Sequence, residues 1–574
     1  MSNKIFSLII IGFIIFIAGC AAVDNNTGQQ GKLRLLRLFP DKQSDQNKFD
    51  AKVRASPLLD LSQDKPRIIV PVADGMIALQ DAETGAIKEK IQLPFPTECK
   101  QLEISATPTI IGTNLVAVYQ CVDDGRRTSH LLTVVDLKNN KLNQAFSMIE
   151  LTATKPTADG LATVTFNPAA AYSHSEVKHA PKQDSDFGLV YVAFGNAGDT
   201  QPFHGWVFEI DMDAWKRLGT EHAINNVLVT TPESECPVNY DSGTREMICG
   251  GGVWTPEGPQ VDMEAEDFEL LIPTGNGQLD LERHDYANTL MRVKQGLQFD
   301  PKCDEQYCEN FDPNNPSLAC MESCKNLFIP RLDPKNKPLR PASGDCDDKT
   351  FWQCLAWLDY DLGANAPVKA KLKDGRSVWV QAGKDGGVYL IDAEHLGTQY
   401  DRMQIVEICG TKIDPCKLNW RGMIVTHPVV TYTEEEPVVI IPTFVSDDTH
   451  AAGLIALKIV IENNKPKFQK FWQFPDPSSK QATKSFRTHP SLPIITKIDE
   501  TGETYVWVVD IGKPGTLYGV RVKDGSLAAK TSLIGTGWPL STPVFFNNSI
   551  YVPSNAPGGI KKAWLEGYRI ELEK

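Results

Sequence analysis

Arg67-Ile-Ile-Val-Pro71, then Asp74-Gly75, then Met76-Ile-Ala-Leu-Gln-Asp81-Ala-Glu-Thr-Gly85 is the stretch whose reading decides the fold. Both apolar runs have the length and β-branched content of buried strands. Asp-Gly between them marks a tight hairpin, because Gly accepts a positive φ at no steric cost. The second strand then runs into an Asp and a Thr-Gly turn. Val378-Trp-Val-Gln381, Asp385-Gly386-Gly387 and Val388-Tyr-Leu-Ile-Asp392 repeat the pattern. Further strand runs are Leu115-Val-Ala-Val-Tyr119, Leu189-Val-Tyr-Val-Ala193, Leu270-Leu-Ile-Pro273, Val438-Val-Ile-Ile441, Val506-Trp-Val-Val509 and Ile550-Tyr-Val552.

Upstream of each run stands a proline after a small or polar residue: Pro57, Pro108, Pro168, Pro259, Pro367, Pro428, Pro490 and Pro543, at intervals of 51, 60, 91, 108, 61, 62 and 53. Proline is tolerated at a strand's first residue, where its missing N–H lies outside the ladder. Eight such units predict an all-β fold, an eight-bladed β-propeller of four-stranded antiparallel blades. Blades of about 45 residues need roughly 360, so the surplus falls in the long intervals 168–259 and 259–367. Leu33–Phe39 is a strand candidate ahead of the first blade, and 568–572 is the last strand. Pairing them closes the ring and removes its open edge.

Composition agrees with one large globular domain. The chain has 574 residues, 41% hydrophobic and 23% charged, which excludes a disordered tail, a collagen and a multi-span membrane protein. Its net charge of −14 argues against a nucleic-acid partner, which needs a surplus of Lys and Arg.

The N-terminus reads as an address. Lys4 precedes an apolar run over 5–17, too short for a membrane span of about 20 residues. Ile17-Ala-Gly-Cys20 resembles the lipobox of bacterial lipoproteins. The expected organisation is a signal peptide over 1–19, a lipidated tether over 20–32 and the propeller over 33–574. Cys20 then carries diacylglycerol and palmitate. Ala21, where Asp would resemble a retention signal, favours the outer membrane over the inner, with the propeller in the periplasm or at the cell surface.

Thirteen cysteines less Cys20 leave an even number, as disulfides in an oxidising compartment require. Local pairs are Cys99 with Cys121, Cys236 with Cys249, and Cys409 with Cys416. Cys303, Cys308, Cys320, Cys324, Cys346 and Cys354 crowd into a polar, Pro-rich insertion over 296–356, with connectivity open. Their spacings do not match common zinc ligand pairs, and no His is near. The segment reads as a stapled protrusion rather than a blade.

Phe203-His-Gly-Trp-Val207, Gly250-Gly-Gly-Val-Trp254, Thr274-Gly-Asn-Gly277, Asp359-Tyr-Asp-Leu-Gly363 and Ala382-Gly-Lys-Asp-Gly386 resemble segments of bacterial pyrroloquinoline-quinone (PQQ)-like propellers, the quinoprotein alcohol dehydrogenase type. In that family Ca²⁺ polarises the quinone and an Asp acts as general base on an alcohol. The resemblance implies four parts. The acidic Ca²⁺ ligand before the first blade is replaced by Arg54 in Lys52-Val-Arg-Ala-Ser-Pro57. No two Cys are adjacent, so the disulfide that stacks on the quinone is missing. The Asp-x-Trp-Asp base segment reads Cys354-Leu-Ala-Trp357-Leu-Asp359-Tyr-Asp361. Asn276 matches a Ca²⁺-ligand position. The Cys-x-x-Cys-His haem signature and the blade-docking Trp after the Thr-Gly turn are also missing; after Gly85 the chain reads Ala-Ile-Lys-Glu-Lys90.

With one part in four kept, no PQQ, Ca²⁺ or haem is expected. The expected role is a binding or scaffold lipoprotein with a protein partner in a cell-envelope assembly. The alternative is a divergent PQQ- and Ca²⁺-dependent dehydrogenase of alcohols or aldehydes. It uses Asn276 as metal ligand, Trp254 beside the cofactor and Asp359 or Asp361 as base. A third reading is a polysaccharide-binding propeller using Trp206, Trp254 and Trp357. Two further constellations are weaker. His427-Pro428 and His489-Pro490 hold equivalent blade positions where a metal site is the rival of a strand-start role. Asp345, Asp347 and Asp348 lack EF-hand spacing, and His204 reads as structural.

Overall fold

The structure is a computed structural model that describes residues 32–40, 47–157, 160–196, 203–232, 250–264, 267–312, 316–330, 355, 359–405, 424, 426–434, 436–444, 452–476, 478, 486 and 490–573. Cys20, Cys236, Cys249, Cys346, Cys354, Cys409, Cys416, Trp357, His489 and the 345–348 acidic run lie outside the described residues.

The repeat resolves into eight antiparallel sheets. Blade 1 is Leu58–Asp60, Arg67–Val72, Met76–Asp81 and Ile87–Gln92. Blade 2 is built on Asn114–Asp123 and Arg126–Asp136, with each edge split into two short strands. Blade 3 is Lys178–Ala180, Leu189–Phe194, Trp206–Asp211 and Ile224–Val229. Blade 4 is Gln260–Asp262, Glu269–Pro273, Leu290–Lys294 and Leu327–Phe328. Blade 5 is Val368–Lys371, Ser377–Ala382, Gly387–Asp392 and Gln399–Gln404. Blade 6 is Val429–Thr433, Glu436–Thr443, Gly453–Glu462 and Lys465–Phe474. Blade 7 is Ile494–Ile498, Glu503–Asp510, Thr516–Arg521 and Leu527–Ser532. Blade 8 is Val544–Phe546, Ser549–Asn555 and Ala563–Leu572, completed by Leu33–Phe39.

The closing pair runs antiparallel from Leu33 opposite Leu572 to Phe39 opposite Gly567, with one register shift between Arg37 and Phe39. First strands touch between blades 2 and 3, 3 and 4, 5 and 6, and 6 and 7, and blade 8's first strand touches blade 1's. The ring is therefore shut, with first strands innermost. Second and third strands are sandwiched between sheets. Leu189–Phe194 and Trp206–Asp211 are accordingly buried along their whole length rather than alternating.

The Asp-turn has a local cause. Asp81 Oδ1 accepts from the backbone N–H of Glu83 (3.1 Å) and Thr84 (2.9 Å). Asp392 does the same for Glu394 (2.7 Å) and His395 (2.8 Å). A short carboxylate that caps its own turn is the reason for Asp there. In blade 3 the same position, Asp211, starts the helix Met212–Leu218 by accepting from Ala214 N at 2.8 Å.

Three sequence expectations need correction. Pro168 and Pro490 do not begin strands: blade 3 starts at Lys178, and blade 7 at Ile494, directly after Pro493. The 296–356 insertion is not wholly outside the blades, because its apolar Leu327-Phe328 is the outer strand of blade 4, paired with Leu290 and Met291. The docking aromatic is not missing either. It comes from the preceding blade and covers a Gly in a left-handed turn: Phe39 sits on Gly85 (φ 69°), and Trp472 on Gly525 (φ 73°). A Cβ at Gly525 would stand 2.7 Å from the Trp472 ring, whose Nε1 donates to Val522 O at 2.7 Å.

Cys99 pairs with Cys121 as expected. In the insertion Cys303 pairs with Cys324, and Cys308 with Cys320, stapling the helices Glu305–Cys308 and Leu318–Ser323. The only candidate metal-ligating trio among the described residues, Cys303, Cys308 and Cys324, is thereby accounted for. The stapled unit leans on blade 5, where Leu396 N donates to Lys325 O (3.0 Å) and Gly397 N to Cys324 O (2.9 Å). Among the described residues no helix is long and apolar enough to cross a membrane.

Candidate functional site

The links that lead into blades and the hairpin turns between second and third strands meet around one cavity of about 750 Å³. Lys52 and Arg54 come from the link into blade 1, and Tyr172 and His174 from that into blade 3. Trp254 precedes blade 4, Asp359 and Asp361 precede blade 5, and Trp538 precedes blade 8. Lys384 sits in the hairpin turn of blade 5, Lys513 in that of blade 7, and Asn555 opens that of blade 8. Contributions from so many sectors place the cavity at the centre of the ring. The size suits a small organic molecule.

Its floor is a buried charged network. Lys384 Nζ lies 2.7 Å from Asp359 Oδ1 and 3.0 Å from Asp361 Oδ2, with its side chain 1% exposed. Trp254 Nε1 donates to Asp361 Oδ1 at 2.9 Å, and the Lys384 ammonium stands 5.0 Å over the Trp254 ring. Asn276 Nδ2 donates to Asp359 Oδ1 at 3.4 Å, and Asn288 Nδ2 to Asn276 Oδ1 at 3.3 Å. The turn Gly383-Lys384-Asp385-Gly386 presents the lysine: Gly386 N donates to Gly383 O at 3.0 Å, and Lys384 N to Asp361 O at 3.3 Å. Asp359 holds φ 58°, a left-handed conformation that Asp tolerates and that occurs often at functional sites.

Two carboxylates share one ammonium here. Burial pushes Asp361 up to about 6, reinforced by the Asp359 charge and opposed by Lys384 and Trp254. On the wall, Arg54 pairs with Glu103 and stands 5.7 Å over the Trp538 ring. Burial, with the charges of Arg54 and Arg127, drives His174 down to about 3, so its imidazole is neutral. Arg54 Nε and His174 Nδ1 are buried without a hydrogen-bond partner.

Four residues selected in the sequence, Trp254, Asn276, Asp359 and Asp361, are thus brought together. Trp206 is not among them. It is 2% exposed and packs edge-on against Phe166, so it offers no face to a sugar. His204 is structural, with Nδ1 2.8 Å from Thr231 O. His427 lines a separate cavity beside the first strands of blades 4 to 7. Sequence reasoning gave no role to Lys384, Trp538, His174, Lys52 or Lys513. Lys384 stood inside a quoted turn and Lys52 at the head of a quoted stretch; Trp538, His174 and Lys513 carried no signal.

Ca²⁺ does not fit this donor set. The Lys384 ammonium occupies the place between the two carboxylates, Asn276 Oδ1 already accepts from Asn288, and Arg54 brings a further positive charge to the wall. Among the described residues no third carboxylate lines the cavity.

No known family profile matches the chain, and no curated protein matches it in sequence. Solved structures do. The chain is similar to a quinohemoprotein alcohol dehydrogenase from Pseudomonas putida with TM-score 0.52 and 14% identity, over 96% of this chain and 78% of that one. It is also similar to a quinohemoprotein alcohol dehydrogenase from Comamonas testosteroni (TM-score 0.48, 10% identity, 94% and 76% covered). BamB from Moraxella catarrhalis gives TM-score 0.43 and 10% identity, over 93% of this chain and 99% of that one. At these identities the likeness is one of fold, the PQQ-like eight-bladed propeller.

Proposed function

We propose that the chain is an envelope lipoprotein, anchored through Cys20 to the outer membrane, whose propeller binds a small molecule in the central cavity. The observation that carries the binding site is the convergence of Trp254, Asn276, Asp359, Asp361 and Lys384 from blades 4 and 5 on one buried network. A buried charged network with a displaced carboxyl pKa in a central cavity marks a functional site. The lipobox-like Ile17-Ala-Gly-Cys20 supports the anchor.

A second reading has a specific observation in its favour. Asp361, raised to about 6, is poised to accept a proton near neutral pH, as the base of a dehydrogenase must. The test of both is a thermal-shift and calorimetric screen of the full-length protein in detergent. The panel contains organic acids, quinones with and without Ca²⁺, and saccharides. Binding weakened by Trp254→Phe supports the cavity; dye-linked oxidation of an alcohol, lost in Asp361→Asn, supports the dehydrogenase. Silence across the panel removes both, and crosslinking in intact envelopes then tests a protein partner. Globomycin-sensitive processing and loss of membrane association in Cys20→Ser test the anchor.

A further inference from the structure

A second cavity, of about 700 Å³, lies beside the first strands of blades 4 to 7 and shares no lining residue with the central one. Its walls are largely aliphatic: Val261, Val368, Val429, Val430 and Ile494. Its charged groups are Glu257, Asp262 and Glu264, from blade 4 and the link into it, against Lys369 of blade 5. His427 also lines it, and burial drives that imidazole down to about 3, so it stays neutral. Three carboxyls thus face one ammonium. Lys369 Nζ lies 2.8 Å from Asp262 Oδ1 and 2.6 Å from Glu264 Oε2. Lys178 of blade 3, whose charge also reaches Glu257, is held by Glu176 at 2.7 Å. Among the described residues no cation pairs with Glu257. Burial pushes its carboxyl up to about 8, with Lys178 opposing and Glu176 reinforcing, so the group keeps its proton at neutral pH. Glu257 is not sealed away, however: it borders the cavity and keeps part of its surface open.

We propose that this second cavity binds a linear aliphatic diammonium ion, one charge set against Glu257, the other beside Asp262 and Glu264, and the methylenes along the valine wall. Two positive charges balance three carboxyls that share one lysine. A cavity lined by one surplus sign of charge concentrates the opposite ion, and an alkyl stem buries itself on aliphatic surface while its charged ends stay at polar groups. A metal ion fits less well. Hard divalent cations need several oxygens converging on one point. Among the described residues no such group forms here; the one close trio of metal-ligating side chains is Cys303, Cys308 and Cys324, in the stapled insertion. Binding also moves a proton. The Glu257 carboxylic acid gives its proton to solvent, and the carboxylate left behind pairs with the incoming ammonium. Uptake at neutral pH is therefore an exchange of ligand for a proton.

The test is calorimetric titration of the full-length protein in detergent at pH 7, with cadaverine as the diamine probe. Pentylamine, pentanediol and Ca²⁺ are the comparisons. Cadaverine should bind saturably and more weakly as salt rises, pentylamine severalfold more weakly, and pentanediol not at all. The heat should differ between phosphate and Tris buffers by an amount that reports release of nearly one proton per ligand. Glu257→Gln should weaken cadaverine about tenfold or more and abolish the buffer difference, a signature that a purely structural glutamate would not leave. Glu264→Gln, at an exposed position, should weaken it severalfold with an unchanged melting temperature, which keeps the idea testable if Glu257→Gln does not fold. Trp254→Phe, in the central cavity, should change nothing. No cadaverine binding, or binding untouched by both glutamate variants, overturns the site. Loss of cadaverine affinity in Trp254→Phe moves the ligand to the central cavity and overturns it equally. Pentanediol binding as well as cadaverine overturns the role of charge, and Ca²⁺ displacing cadaverine at lower concentration overturns the ligand class.

Discussion

Two buried ion networks sit in different parts of the ring, one at the closing seam and one on the cavity floor. At the seam Arg37, from the N-terminal strand, pairs with Glu566 of the last strand. Tyr568 Oη donates to Glu566 Oε2 at 2.6 Å, Ile534 N to Glu566 Oε1 at 2.8 Å, and Arg37 Nη2 to Ser532 O at 2.9 Å. The Arg37 guanidinium also stands 4.9 Å over the Tyr568 ring. One cation meets one anion, and both oxygens are engaged. On the floor one cation meets two anions, and more cations line the wall above. A balanced network joins elements. An unbalanced one, opening on a cavity, is left with charge that a ligand can use.

The largest effect expected from this contrast is at the seam. Glu566→Ala strands Arg37 and unpairs Ile534 N, and should cost about 3–5 kcal/mol in chemical denaturation. A cost below about 1 kcal/mol would show that the seam is held by its strand pairing alone. The docking aromatics come next. Phe39→Ala removes a buried ring from Gly85 and Gly567, and Trp472→Ala one from Gly525, each for about 3–4 kcal/mol. Phe39→Ala should in addition speed proteolysis at the N-terminal strand, because it loosens the ring closure; equal proteolysis in the two variants would equate the seam with an ordinary blade interface. Replacing Cys303 and Cys324 by Ser should cost about 2–3 kcal/mol, read in non-reducing denaturation, and should leave the central cavity's ligand affinity unchanged. A change in affinity would tie the stapled insertion to the site.

How much of this was legible depends on the range of the interactions. Hairpins, Asp-turns and the closing strand are visible in the sequence because each is written in a few consecutive residues; Asp81 caps its own turn two and three residues on. The docking aromatics are not, because Phe39 and Trp472 serve the next blade and no local pattern announces the partner Gly. Trp206 reads like an exposed aromatic beside Gly205, yet Phe166 and Phe208 enclose it. Asn276, Trp254, Asp359 and Asp361 were legible through family-like segments of blades 4 and 5. Arg54 was read there only as a missing metal ligand. Its place beside Trp538, at the far end of the sequence, exists only once the ring closes.

The smallest expected effect is the most direct test of the floor. Asp361→Asn converts two anions and one cation into one of each, the seam's arrangement, while keeping the side chain's shape. In the wild type the folded-state value of Asp361 is raised from 3.8 to about 6. Between those values the folded protein holds a proton that the unfolded chain has released, so stability falls as pH rises from about 4 to about 6 and stays lowered above it. The variant has no such proton. Its unfolding free energy from urea denaturation should therefore gain on the wild type's across that window, by about 1–3 kcal/mol at pH 7 relative to pH 4. Glu257, raised by burial to about 8, bends both profiles in the same direction up to that pH and cancels in the difference. Parallel profiles from pH 4 to 7 would mean that Lys384 already balances both aspartates, and the floor would then differ from the seam only in its position.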